Sequence, residues 1–145
     1  SVDYEAEISF LVRNGQYVGV GFGLDLTKRQ VQRELKSEGL PWERAKAFDN
    51  SAVFSQFVPL DCTVSNIRLE LLINDKLKQY ANYELMLTKP LAIRDEILSF
   101  ITLEDNDIVM TGTPKGVGPI ALGDILIGRI FDKDHLLVEQ TWCVQ

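Results

Sequence analysis

Apolar and polar residues alternate over short stretches through most of the chain, a pattern that predicts β-strands. Residues 5–13 and 16–24 are two apolar runs joined by Arg13-Asn14-Gly15, and an Asn-Gly pair between such runs is a strong hairpin signal. Turns are also predicted at Asn74-Asp75 and Lys133-Asp134. The other predicted strands cover residues 67–73, 76–80, 107–110, 124–131 and 136–142.

Two stretches have helical periodicity instead. Thr27 and Gln30 are spaced as a capping box, and Val31 and Leu35 form the apolar stripe of the helix that follows. A second helix is predicted from Pro90 to Phe100, with proline at its first position. The few helices among many strands indicate a β-rich α+β fold.

The composition is that of one soluble globular domain spanning residues 1–145. The chain is 46% hydrophobic and 25% charged, and it is long enough for one hydrophobic core. A net charge of −6 argues against nucleic acid or an anionic membrane as partner, and no apolar run approaches the roughly 20 residues of a membrane span. Cys62 and Cys143 are interpreted as free thiols of a cytoplasmic protein, with one disulfide as the alternative.

Three carboxylates are predicted to converge at one end of the first hairpin. Glu5 and Glu7 are two residues apart in a strand, so they share a face, and Asp25 ends the next strand. A divalent cation would relieve the repulsion between them, and all-oxygen ligation favours Mg²⁺ or Mn²⁺, with Ca²⁺ as a further candidate. Alternatively, Glu5 and Glu7 belong to a solvated strand face and Asp25 is favoured there by the helix dipole.

Basic and polar side chains follow at positions suited to a substrate. Arg29 and Gln32 share one face of the first helix, where Arg29 can hold a carboxylate by two hydrogen bonds. Lys46 lies in an apolar stretch that is expected to desolvate it and lower its pKa, which suits proton transfer or enolate stabilisation. The alternative for Arg29 and Lys46 is an ordinary exposed surface side chain.

A glycine-rich loop follows the strand predicted at residues 107–110. Its glycines and threonine hydroxyls can bring donors close to an anion, so we predict that Gly112 and Thr113 hold a substrate carboxylate. The loop lacks the Ser or Thr after lysine that defines a P-loop, and a purely structural turn is the alternative. His135, the single histidine, is predicted to lie at the surface beside the last hairpin turn.

Four sequence blocks that contain these candidate residues resemble the fumarylacetoacetate hydrolase family, most closely its small acylpyruvase and oxaloacetate decarboxylase-like branch. The match is specific because four blocks occur in the family's order across nearly the whole chain, whereas any one block would be weak. The blocks are Tyr4-Glu5-Ala6-Glu7, residues 24–32, residues 39–49 and Thr111-Gly112-Thr113-Pro114-Lys115-Gly116-Val117-Gly118.

The resemblance implies a role for each candidate residue. Substrate contacts of the family correspond to Arg29, Gln32 and Thr113, and its active-site lysine corresponds to Lys46. Its Mg²⁺ or Mn²⁺ ligands correspond to Glu5, Glu7 and Asp25.

The resemblance also implies a fold and an assembly. The fold would be the family's mixed β-roll, a distorted β-barrel with few helices, and the assembly would be a homodimer. Hydrolytic members carry a water-activating His and Glu in an earlier segment, and nothing in these residues replaces that pair. We therefore expect that the domain lacks its N-terminal segment.

The function expected from the resemblance is metal-dependent hydrolysis of a C–C bond in a 2,4-diketo acid through a pyruvate enolate. Oxaloacetate decarboxylation and keto–enol isomerisation are alternatives that use the same site. A different class of alternative is a truncated, non-catalytic remnant or binding module. A phosphate-binding role for the 111–118 loop is a further alternative.

Overall fold

Eleven strands and three helices are present in the computed structural model, which describes residues 1–145. The strands are β1 (Asp3–Tyr4), β2 (Ala6–Arg13), β3 (Gln16–Asp25), β4 (Ala52–Phe54), β5 (Val58–Pro59), β6 (Ile67–Ile73), β7 (Lys76–Asn82), β8 (Ile108–Met110), β9 (Gly118–Pro119), β10 (Ile125–Asp132) and β11 (His135–Cys143). The helices are α1 (Arg29–Ser37), α2 (Glu43–Lys46) and α3 (Pro90–Leu98), with 3₁₀ turns at Val64–Asn66 and Tyr83–Leu85. The predicted β-rich α+β class is confirmed.

The strands form two antiparallel sheets and one short ribbon. One sheet has the order β4-β3-β2-β8, with β5 also paired to β3, and the other has the order β11-β10-β6-β7. The ribbon pairs β1 with β9. The predicted first hairpin is confirmed as β2–β3, and its turn residues Asn14 and Gly15 have the positive φ angles that an Asn-Gly turn requires.

The core lies between the two sheets. Alternate residues of β2 point into it, and Ile8 and Phe10 are at most 2% exposed. Phe22 of β3 lies so close to Gly128 of β10 that a Cβ at that glycine would overlap the Phe22 ring. Burying each of these large side chains contributes about 1.5–3 kcal/mol, and this packing fixes the backbones of β2 and β3.

Helix α1 departs from the prediction at its start and on its buried face. It begins at Arg29 and has no side-chain cap, so the capping box predicted at Thr27 is wrong. The Thr27 hydroxyl accepts a hydrogen bond from Lys46 instead, a tertiary contact that replaces the local one. The buried residue of α1 is Gln32, whereas the predicted stripe residues Val31 and Leu35 are only partly buried.

Other predictions agree with the structure. The helix predicted from Pro90 forms and ends at Leu98, and both cysteines are free. No helix of this chain combines the length and apolar character needed to cross a membrane. The segment between α1 and β4 contains the short helix α2, which carries Lys46.

Candidate metal centre and substrate site

Three carboxylates meet where β2 and β3 pair at the open end of the first hairpin. One oxygen from each of Glu5, Glu7 and Asp25 lies within 4.8 Å of the others. Glu5 occupies the break between β1 and β2, and its carbonyl accepts a hydrogen bond of 2.9 Å from the Asp25 N–H. This cross-strand register brings Asp25 to the shared face of Glu5 and Glu7, as the sequence predicts.

The environment of Glu7 disfavours its negative charge. The pKa of Glu7 is raised to about 7, chiefly by burial and also by repulsion from Asp25 and Glu5, whereas the Gly112 N–H and the Lys46 charge lower it. Glu5 and Glu7 are only 7% and 5% exposed, so solvent does little to screen that repulsion. A buried carboxylate whose charge is only partly compensated by its neighbours marks a place where a cation would bind favourably.

The donor set matches a hard divalent cation. All three groups offer oxygen, and neither histidine nor cysteine takes part, which favours Mg²⁺, Mn²⁺ or Ca²⁺ over a softer metal. Three protein ligands leave other positions of an octahedral ion for water or a substrate. The residues present therefore suit such an ion.

Lys46 reaches the carboxylates from helix α2. Its Nζ donates to Glu5 Oε2 at 2.7 Å, to Asp25 Oδ2 at 2.8 Å and to Thr27 Oγ1 at 2.6 Å. Burial lowers the pKa of Lys46, but the hydrogen bonds and charges of Asp25 and Glu5 outweigh that effect and raise it. The predicted lowering of the Lys46 pKa is therefore wrong, because the apolar sequence around it does not show the two carboxylates that it meets.

Arg29 and Gln32 lie beside the same cluster. The Arg29 guanidinium donates to Glu5 Oε1 at 3.2 Å and to Gln32 Oε1 at 3.0 Å, so the two helix residues share a face as predicted. Arg29 also lies 3.8 Å from Asp3 and keeps about a third of its side chain exposed. It is held by acidic neighbours, yet part of it is open to a ligand.

The 111–118 loop approaches the carboxylates from the other side of β2. The Gly112 N–H donates to Glu7 Oε2 at 2.6 Å, and Gly112 adopts a φ of +99°, which glycine tolerates best. Thr111 anchors the loop through a hydrogen bond of 2.7 Å from its hydroxyl to the Ile8 carbonyl. Thr113 follows, and its hydroxyl accepts a hydrogen bond from Gln79.

A cavity of about 510 Å³ adjoins this loop. Gly112 and Thr113 line it, and most of its wall is apolar. The apolar side chains come from β2, β8, α3 and the segment before α3, and they include Ile8, Met86, Ile93, Ile97 and Met110. An apolar group of a small ligand held by the loop would find matching surface there.

Three residues of the site were not predicted. Asp3 continues the alternation of Glu5 and Glu7 by two residues, so period-2 geometry could have included it. Thr27 was assigned to helix capping, and Gln79 carries no local signal because its partners lie 73 and 34 residues away. His135 lies at the start of β11, where it lines a separate cavity with Asp61 and Asp132.

Comparisons with known proteins identify relatives of this chain. Residues 16–141 match the profile described as the C-terminal part of fumarylacetoacetate (FAA) hydrolase. Oxaloacetate tautomerase YcgM of Escherichia coli is 42% identical over 111 residues, which are 74% of this chain and 51% of that protein. The mitochondrial oxaloacetate tautomerase FAHD1 of Homo sapiens is 39% identical over 129 residues, which are 88% of this chain and 57% of that protein. The chain thus spans about half the length of the curated relatives it matches.

Solved structures share the fold over the whole chain. A proposed fumarylacetoacetate isomerase/hydrolase from Oleispira antarctica, 34% identical, superimposes with a TM-score of 0.93 and covers 100% of this chain and 71% of that one. Fumarylpyruvate hydrolase from Pseudomonas aeruginosa, solved with Mn²⁺ and pyruvate, is 26% identical, with a TM-score of 0.86 over 99% of this chain and 65% of that one. The profile match covers most of the sequence and these folds cover nearly all of it, so the chain belongs to the fumarylacetoacetate hydrolase family.

Proposed function

We propose that residues 1–145 form the catalytic domain of a metal-dependent enzyme that enolises a 2-oxo acid, with tautomerisation of oxaloacetate as the first candidate reaction. The observation that carries the proposal is the convergence of three carboxylates on one point beside a lysine ammonium. Glu5, Glu7 and Asp25 would hold Mg²⁺ or Mn²⁺. We further propose a homodimer, as the family resemblance implies, and a cytoplasmic location, as the free thiols of Cys62 and Cys143 suggest.

The protein side chains divide the work of such a reaction. When bound, the metal supplies a Lewis acid that favours the enol form of a chelated 2-oxo acid. Arg29 and the Thr113 loop would orient the substrate carboxylates, and Gln32 would hold the Arg29 guanidinium. In the enol-to-keto direction, the Lys46 ammonium would give its proton to C3 and then take the proton from the C2 hydroxyl.

The positive charge of Lys46 supports its place beside the reacting group. Because Asp25 and Glu5 keep the lysine protonated, it is suited to stabilise negative charge on an enolate oxygen. The Escherichia coli and human relatives named oxaloacetate tautomerase, at 42% and 39% identity, support oxaloacetate as the substrate to test first.

Hydrolysis of an acylpyruvate is the second candidate. The apolar cavity beside Gly112 and Thr113 favours it, because oxaloacetate has no apolar group to fill such a space. A Pseudomonas aeruginosa relative named fumarylpyruvate hydrolase, with Mn²⁺ and pyruvate in its structure, supports the same class of substrate. This reaction needs an activated water in addition to the enolate chemistry.

The two candidates are separated by following each product. Enol-oxaloacetate loses its ultraviolet absorbance on conversion to the keto form, and acylpyruvate cleavage releases pyruvate, which a coupled assay measures. Both assays are run with Mn²⁺, with Mg²⁺ and with chelator. We expect metal-dependent tautomerisation that Lys46→Met reduces at least 100-fold, because the proton donor is lost.

Glu70→Gln is the matched control for loss of an ion-paired group, since Glu70 pairs with Arg68 in the other sheet. It should leave the rate unchanged. Full activity in chelator, or after replacement of all three carboxylates, would contradict the metal mechanism. If neither the absorbance change nor pyruvate release occurred with any substrate, the result would favour a non-catalytic domain.

A further inference from the structure

Gln79 is a buried amide that links the loop to the carboxylate strand. It lies on β7 and is 1% exposed, although glutamine is rarely so buried. Its Oε1 accepts from the Ala6 N–H at 2.9 Å, and its Nε2 donates to Thr113 Oγ1 and to the Pro114 carbonyl, both at 2.9 Å. One side chain therefore contacts both the strand and the loop of the proposed site.

The three contacts fix the orientation of the amide. A flipped Gln79 would place its oxygen against the Pro114 carbonyl and its NH₂ group against the Ala6 N–H, so two hydrogen bonds would become repulsive contacts. Both amide hydrogens are thus committed to the loop. Since Thr113 Oγ1 accepts one of them, the hydroxyl hydrogen of Thr113 points away from Gln79 and is free to donate.

The strand contact lies at the centre of the carboxylate cluster. Ala6 stands between Glu5 and Glu7, and the same loop also reaches Glu7 through the Gly112 N–H at 2.6 Å. Any shift of Gln79 would therefore move Thr113 relative to both glutamates. If the side chain only filled space, leucine or methionine would do so without the cost of burying an amide.

We infer that Gln79 is a positioning residue that makes the Thr113 hydroxyl a hydrogen-bond donor for a substrate carboxylate and holds the loop in register with the metal ligands. The inference rests on the proposed function for the identity of the ligand. It assigns Gln79 no contact with substrate, because Gln79 acts through Thr113.

The test measures binding of Mn²⁺ alone and then of oxalate, a planar analogue of the pyruvate enolate, to the full-length Mn²⁺-loaded protein by calorimetry. Gln79→Met should weaken oxalate binding about 10-fold, as expected for a lost hydrogen bond to a charged group, and leave Mn²⁺ affinity within about two-fold. Gln79→Asn, which keeps the amide but is one methylene shorter, should weaken oxalate binding less. If the Met variant does not fold, Gln79→Asn is compared with the wild type instead.

A double-mutant cycle separates positioning from general damage. Thr113→Val should also weaken oxalate binding about 10-fold, and adding Gln79→Met to it should cost less than about two-fold more. Gln140→Met, at a partly exposed position of β11 outside the site, is the matched control and should change neither affinity.

The inference is overturned if both Gln79 variants bind oxalate as the wild type does, or lose Mn²⁺ and oxalate affinity equally. It is also overturned if the Gln79→Met effect persists in full in the Thr113→Val background, or if the Mn²⁺-loaded wild type does not bind oxalate. The protein could show the non-additive loss of oxalate binding in the cycle and yet turn over no 2-oxo acid. That result would support the inference and contradict only the proposed function.

Discussion

Individual charges at the site are set by tertiary neighbours, and Glu7 and Lys46 illustrate this in opposite directions. Burial dominates for Glu7 and raises its pKa to about 7, whereas two carboxylates dominate for Lys46 and raise its pKa despite burial. Local sequence does not distinguish the two cases, since each residue has apolar neighbours in the chain. Only the contacts across the hairpin and from α2 decide which effect prevails.

The raised pKa of Glu7 predicts a pH-dependent stability of the metal-free protein. Its folded pKa of about 7 exceeds the reference 4.5, so the folded state binds the proton more tightly and the free energy of unfolding falls as pH rises between these values. Glu7→Gln keeps an acceptor for Gly112 but cannot ionise. We expect the variant to be up to about 3 kcal/mol more stable than wild type at pH 8, with the difference vanishing near pH 4.

Urea unfolding in chelator at pH 4, 6 and 8 measures this effect. The control is Glu38→Gln, which removes an exposed carboxylate after α1 and should give a pH profile parallel to that of the wild type. Parallel profiles for Glu7→Gln and wild type would show that Glu7 ionises normally. Mn²⁺ affinity should rise with pH up to about 7, because the ligand must lose its proton.

At the scale of elements, the 111–118 loop depends on close contact with β7. Gly116 has a φ of +106°, and a Cβ there would overlap the Lys78 carbonyl oxygen. Gly116→Ala should destabilise the protein by about 1 kcal/mol for the backbone conformation and by roughly 1–3 kcal/mol more for the steric overlap.

Gly123→Ala provides the matched control for this substitution. Gly123 also has a positive φ, +86°, but a Cβ there would meet nothing within 4 Å. The excess loss in Gly116→Ala over Gly123→Ala, measured by urea unfolding, therefore reports the overlap with β7. If both variants lost the same stability, the loop would have moved away from β7 at no cost in free energy.

Secondary-structure elements could be predicted from the sequence where the pattern that specifies them is local. Alternation and Asn14-Gly15 predicted the β2–β3 hairpin, and this hairpin accounts for the convergence of Glu5, Glu7 and Asp25. The capping of α1 was not predictable, because Thr27 satisfies the local pattern yet bonds to a lysine 19 residues away. Gln79 is the extreme case, since its importance lies entirely in contacts that only the folded chain creates.

At the scale of the whole molecule, the site joins segments from distant parts of the chain. Glu7 comes from β2, Glu5 from the break just before it and Asp25 from the end of β3. Lys46 comes from α2, and Gly112 comes from the loop after β8. A cation bound by the carboxylates would therefore link the first sheet, a helix and a loop. Ligand binding to such a network stabilises the fold as a unit rather than one element.

This linkage predicts that Mn²⁺ raises the free energy of unfolding of the whole domain. At a free concentration of 100 times its Kd, the increase should be about 2.7 kcal/mol, measured by urea unfolding in metal-buffered solution. Asp25→Asn should lose most of the increase, because it removes one ligand and one of the two carboxylates that fix Lys46. Glu70→Gln, which breaks an ion pair in the other sheet, should keep it in full. If Mn²⁺ stabilised Asp25→Asn and wild type equally, the ion would be binding elsewhere, and the three carboxylates would have to be interpreted as a lysine-paired structural cluster.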